Sequence, residues 1–290
     1  MRAVRCDSLP SRDILLIPIF DPEALLAAMT LAARDAGAEA LAYFRHGERT
    51  RAGVENKAGG SPVTEADLLV DRLLRARLGE LLPEAGWLSE ETADTAERLD
   101  RRAVFIVDPI DGTRAFVTGD PRWAVSVALV IDGAPRLGVL ELPALAETYT
   151  AAHGAGARLG GRKLAVSTRT DLAGARIAGP KPLVDALRGT GLEIAPEPKI
   201  PSLAYRFAKV ANGSLDAALA STDAHDWDIA AADLILRESG GLVTDLRGRV
   251  PVYNSPDPRH GVLTAAPRAL GDQLNAALDK AATPSRRRQG

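Results

Sequence analysis

The chain has one cysteine, Cys6, in 290 residues, so it can form no disulfide of its own, and a reducing cytoplasmic setting is expected. Histidine is almost as scarce. His46, His153, His225 and His260 stand far apart with no second cysteine among them, and no zinc-binding spacing results. Long apolar runs are missing too: nowhere do about 18 consecutive apolar residues occur, which excludes a transmembrane helix. The N-terminal patch ILLIPIF is broken by Pro18 and has no small-residue cleavage site behind it, so no export signal is read. Neither charge sign dominates, since 36 Lys and Arg against 38 Asp and Glu leave a formal net charge of -2. That balance gives no pull toward a nucleic acid polymer, and any membrane contact would be peripheral. A G-x-S-x-G nucleophile elbow is also absent, which argues against a serine hydrolase.

A hydrophobic share of 46% is enough for a full core, as one large domain or two packed halves. The pattern predicts a helix from Asp21, its N-cap, through Pro22 at the first helical position to a stop at Gly47, with Leu25, Leu26, Met29, Ala33, Leu41 and Phe44 inward. The polar ERTRAGVENKAGGSP, carrying Lys57, reads as a mobile surface loop. Thr64 opens a second helix with Leu68, Leu69, Leu74, Leu78 and Leu81 on its apolar face and Asp67 in its first turn. Short apolar runs at 104–107, 123–131, 137–142 and 148–152 then read as neighbouring strands, two of them joined by the turn Asp132-Gly133. The second half mixes helices (SLAYRFAKVANG, WDIAAADLILRESGG) with strands (LDAALA, GLVTD, GVLTAA). The expected organisation is an N-terminal extension over 1–20, an α/β half over 21–152, a second α/β half over 153–275 and a disordered Arg-rich tail over 276–290.

Chemistry concentrates in acidic residues. VFIVDPIDGTRAF puts Asp108 and Asp111 three positions apart at the end of a strand. Pro109 pushes Asp108 toward an extended conformation, and Gly112 tolerates unusual dihedrals. A helix from Thr113 would aim its free N–H groups at the same point as the two carboxylates, an arrangement suited to a cation bridged to a phosphate. WLSEET adds Glu90 and Glu91, and HDWDIAAADLILRESGG adds Asp226 and Asp228 at a helix start.

This set, in this order and together with KAGGSPVTEAD, resembles the inositol monophosphatase superfamily of magnesium-dependent, lithium-sensitive phosphatases over almost the whole chain. The resemblance implies a layered αβαβα sandwich with two or three Mg²⁺ between its halves. It implies one ion on Glu90, Asp108 and the carbonyl of Ile110, and a second on Asp108, Asp111 and Asp228, with Asp67 also near metal. Two divalent ions about 3.5 to 4 Å apart can stabilise both attacking and leaving oxygens of an in-line displacement. By the same resemblance Thr113, bonded to Asp67, activates water, the N–H groups of Gly112 and Thr113 hold phosphate, and Lys57 closes over the site. A cation-binding protein without turnover would need no such activator.

Within the superfamily, inositol enzymes carry a glutamate seven residues before the WD aspartate, where this chain has Ser221. Arg206 falls where 3'(2'),5'-bisphosphate nucleotidases resemble one another in having a basic residue, and Arg114 adds a cation beside DPIDGT. These imply a small phosphate ester substrate with a second phosphate, adenosine 3',5'-bisphosphate, and a place in sulfur assimilation. Inositol monophosphate and histidinol phosphate are the alternatives. His225 could face the leaving group but reads first as a plain hydrogen-bonded histidine, YNSPDPRHG could offer Tyr253 to a base but reads first as a turn, and Pro201 stands where the family usually has glycine. A homodimer is plausible by family resemblance.

Overall fold

The computed structural model describes residues 21–57, 59–195 and 197–282; the extension expected over 1–20, with Cys6, and residues 283–290 of the tail lie outside them. Helix α1 (Pro22–Leu41) starts as the sequence predicts, with Asp21 accepting the Glu23 N–H at 3.0 Å. It ends at Leu41, well before Gly47, and Leu41 is exposed. The expected surface loop folds back as a small hairpin, β1 (Val54–Asn56) against β2 (Pro62–Thr64), with Lys57 between the strands. Helix α2 (Glu65–Leu81) opens on Thr64 and buries Ala66, Val70, Leu74 and Leu78, while Leu68 and Leu81 face solvent. Of the leucines expected inward, Leu74 and Leu78 are buried and Leu68 and Leu81 are not. Small side chains at 66 and 70 let the helix lie close to the sheet beneath it.

That sheet has seven strands in the order β3-β4-β5-β6-β7-β8-β9: β3 (Gly86–Ser89), β4 (Ala103–Asp111), β5 (Ala124–Ile131), β6 (Ala134–Leu142), β7 (Glu147–Ala152), β8 (Gly156–Leu159) and β9 (Arg162–Lys163). The short helix α3 (Thr113–Thr118) lies between β4 and β5. The sheet thus runs past the half-boundary placed at 152. Strands β5 and β6 meet at Asp132-Gly133, both at positive φ, which is the twist a two-residue hairpin requires. Both faces of the sheet are covered. On β5, Val125, Val127 and Leu129 pack toward α1 and α2, while Ala124, Ala128 and Val130 pack toward the opposite core. This double burial explains why a mostly antiparallel sheet, in which only β3 and β4 pair in parallel, reads as continuous apolar runs.

The rest of the chain builds three more layers. It supplies β10 (Ile177–Ala178), α4 (Lys181–Gly189), α5 (Leu203–Ala211), β11 (Ala217–Ala220), β12 (Ala224–His225), α6 (Asp226–Glu238), β13 (Gly241–Asp245), β14 (Arg259–His260), β15 (Leu263–Pro267) and α7 (Arg268–Ala282). Helices α5 and α6 form the middle layer, and Gly138 lets α6 approach β6 so closely that a Cβ there would lie 3.0 Å from the Ala231 carbonyl oxygen. A four-stranded sheet, β10-β11-β15-β13, comes next, covered by α4 and α7. The order is αβαβα. Helix α7 continues to Ala282, so residues 276–282, expected as tail, are helical.

Candidate active site

The acidic motif sits on a fault in the sheet. From Asp108 to Asp111 strand β4 advances three residues while its partner β5 advances two, from Ser126 to Ala124. That is a bulge, the setting in which a strand accepts Pro109 and re-aims its side chains. Asp108 accepts the Ile110 N–H at 3.0 Å, and Gly112, at φ 94°, turns the chain into α3. The Asp111 carboxylate leaves its own strand and caps a remote helix. It accepts from Ser202 Oγ at 2.5 Å, Ala204 N–H at 2.7 Å and Leu203 N–H at 3.2 Å, the first turn of α5. Asp228, three positions after His225, accepts that residue's N–H at 2.6 Å at the start of α6. Asp108, Asp111 and Asp228 each bring one oxygen to within 4.8 Å of the others.

Such closeness has an electrostatic cost. Burial, then repulsion from Glu90, Asp111 and Asp228, holds the Asp108 carboxyl well above the usual carboxylate range; Asp228 is raised by burial and by Asp111. Burial pushes Asp111 up to about 6, against the bonds from Ser202 and the α5 backbone that favour its anion. Three convergent carboxylate oxygens are the donor set a hard divalent cation takes, and such an ion would relieve this repulsion. The residues fit Mg²⁺.

A pH prediction follows from these directions. Asp67 and Asp111 hold protons up to about 6 and Glu91 up to about 7 in the folded chain, all above their unfolded values. Between the unfolded carboxylate range near 4 and about 7 the folded state binds more protons, so stability falls as pH rises through that window. The chelator-treated protein should therefore melt at lower temperature at pH 7.5 than at pH 5, and Mg²⁺ should restore the loss. A metal-free melting temperature that rises across the window would contradict it.

Around the cluster stand the other expected residues. Asp67, buried in the first turn of α2, accepts from Thr64 N–H at 2.8 Å and from Thr113 Oγ1 at 3.3 Å. The Thr113 hydroxyl also lies 3.1 Å from the Ile110 carbonyl oxygen, the group expected as a metal ligand. Glu90 and Glu91 follow β3, and Lys57 Nζ reaches both at 2.8 Å. Burial lowers the Lys57 pKa, but the Glu90 and Glu91 carboxylates more than offset it. His225 stacks on Trp227 with ring centroids 4.4 Å apart, its Nδ1 3.8 Å from Asp228, and burial lowers its pKa. Arg114 is exposed on α3, its contact to the Gly60 carbonyl a long 3.5 Å.

Beside the carboxylates opens a cleft of about 270 Å³ lined by Asp111, Pro201, Arg206, Ser221, Asp223 and Asp228 among others. The Arg206 guanidinium is buried and braces the cleft between β11 and α5, donating to the carbonyls of Leu219 and Ile200 at 2.8 Å each, while its Nε–H has no hydrogen-bond partner among the described residues. Tyr253 is buried, its hydroxyl donating to Asp233 at 2.7 Å, and cannot meet a base. Asp226 is likewise structural, accepting from Asn254 N–H and pairing with His260 Nε2, both at 2.7 Å. Ser202, Asp71 and Asp223 were not singled out from the sequence. Ser202 is legible as a helix N-cap, but nothing local announces its bond to Asp111.

The family model described as the inositol monophosphatase family matches residues 21–283. The chain belongs to that family. It is 36% identical over 235 residues to an inositol-1-monophosphatase of Mesorhizobium japonicum, covering 78% of this chain and 86% of the relative. It is 33% identical over 257 residues to a histidinol-phosphatase of Chlorobaculum parvum, covering 85% and 93%. Among solved structures, the extragenic suppressor protein suhB of Bartonella henselae superposes with a TM-score of 0.77 at 30% identity, over 89% of this chain and 99% of that one. The family is one of magnesium-dependent phosphatases, and this chain is a phosphatase of the same fold.

Proposed function

We propose that the chain hydrolyses the phosphate monoester of a hydroxyl-bearing leaving group that is cationic or neutral, with an amino-alcohol phosphate such as histidinol phosphate as the favoured class. The observation that carries this reading is the charge of the cleft. Among the described residues Arg206 is the one cation lining it, buried and held by two carbonyls, whereas the acid Asp223 lines it exposed. Asp223 is held at φ 73°, a backbone conformation that costs a non-glycine residue energy, with its N–H donated to the His260 carbonyl at 3.1 Å. An acid fixed in this way favours an ammonium or a hydroxyl donor over a second phosphate. Bound Mg²⁺ would neutralise the phosphate and supply an acidified water. The chain's own residues hold the ions through Asp108, Asp111, Asp228 and Glu90, direct the Thr113 hydroxyl through Asp67, and lay Lys57 over the phosphate.

The bisphosphate nucleotidase reading is supported by Ser221, which places no carboxylate against a second phosphate, and by the unpartnered Nε of Arg206 in the cleft. A single panel separates the two. With Mg²⁺ present, kcat/KM for histidinol phosphate should exceed that for adenosine 3',5'-bisphosphate by roughly tenfold or more, and Asp223→Asn should shrink that ratio by about the worth of a charged hydrogen bond. A parent enzyme that prefers the bisphosphate overturns the proposal and leaves the metal chemistry standing.

A further inference from the structure

Helix α2 carries a second buried carboxylate, four residues beyond Asp67 and on the same face. Asp71 accepts from Ser89 Oγ through Oδ1 at 2.5 Å and from Thr92 Oγ1 through Oδ2 at 2.7 Å. Those two hydroxyl residues bracket Glu90 and Glu91. Each hydroxyl is also an acceptor: Ser89 Oγ takes the Glu91 N–H at 3.4 Å, and Thr92 Oγ1 takes the Trp87 Nε1–H at 3.3 Å. With their protons committed to Asp71 and lone pairs to the acidic segment, the direction of every bond is set. Opposing this, Lys57 draws Glu90 and Glu91 toward the β1–β2 turn. One helix therefore fixes two parts of the site, Thr113 through Asp67 and the glutamate pair through Asp71.

We propose that Asp71 is a positioning residue that, through Ser89 and Thr92, holds the Glu90–Glu91 segment in place beside the cation site; this rests on the reading of the acidic cluster as a magnesium site. An asparagine at 71 keeps the shape but turns one acceptor into an N–H₂ donor, so either Ser89 or Thr92 must reverse and release its backbone or indole partner. Outer partners of metal ligands are worth about tenfold to a hundredfold in metal affinity.

The test is calorimetric titration of the purified full chain with Mg²⁺, accompanied by metal-free melting and by kcat at saturating Mg²⁺. Asp71→Asn should weaken Mg²⁺ binding by about tenfold or more and leave saturated kcat within roughly threefold of the parent. Thr92→Val should shift affinity in the same direction by less, and Thr92→Ser, which keeps the hydroxyl, should restore the parent value. If Asp71→Asn does not fold, the valine and serine pair at 92 decides alone. Unchanged Mg²⁺ affinity in the variants beside a lowered melting temperature would make Asp71 a structural brace and end the proposal. A parent that binds no Mg²⁺ would overturn the magnesium reading itself, and the proposal with it.

Discussion

Asp108→Asn and Asp228→Asn should each lower phosphate release by roughly a thousandfold or more, the scale on which lost electrostatic stabilisation of a transition state is felt, while the metal-free protein melts no lower than the parent. Activity and stability part company because of what these carboxylates do without an ion. Both are held above their ordinary pKa by burial and by one another, so removing one charge relieves repulsion in the core. The parent's melting temperature should rise on adding Mg²⁺, as for any ligand that binds only the folded state, and the variants' should rise much less. Phosphate release assays and paired melting curves with and without Mg²⁺ check both halves. Parent-like turnover by Asp108→Asn would remove the cluster from the chemistry.

Thr113→Val should fall by roughly 10²- to 10⁴-fold in kcat, the usual contribution of a positioned proton-transfer group. Its Mg²⁺-induced rise in melting temperature should persist. The hydroxyl is 3.3 Å from Asp67 and 3.1 Å from the Ile110 carbonyl, and it lies at the start of a helix held between two left-handed glycines, Gly112 and Gly119. Valine matches its shape and removes the proton carrier together with its bonds to Asp67 and the Ile110 carbonyl. If Thr113→Val instead abolished the Mg²⁺ response, the residue would belong to the cation site and not to water activation.

How much of this was legible beforehand depends on the range of the interaction. The two capped helices at Asp21 and Thr64 and the hairpin at Asp132-Gly133 were readable from local pattern, whereas the layered fold and the convergence of Asp108, Asp111 and Asp228 were legible only through the family resemblance. What was missed needed partners that leave no local signature. Ser202 and Asp111 are 91 positions apart, and no window on the sequence joins them. Arg206 looked like a charge awaiting an anion because its real acceptors, the carbonyls of Ile200 and Leu219, carry no side-chain signature. The inward face of α2 was misread for a related reason. Leucine content pointed to positions 68 and 81, while the close approach of the sheet selected alanine and valine at 66 and 70.

The far end of the seven-stranded sheet bears on how copies of the chain meet. Its edge there is β9, two exposed residues, Arg162 and Lys163, paired only to β8. A strand so short presents almost no unpaired backbone for a visitor to zip onto, and a second copy approaching edge to edge would set cation against cation. Concentrated protein should thus resist fibre-like stacking along this border, and any assembly of two copies must be made by surfaces other than the β9 edge.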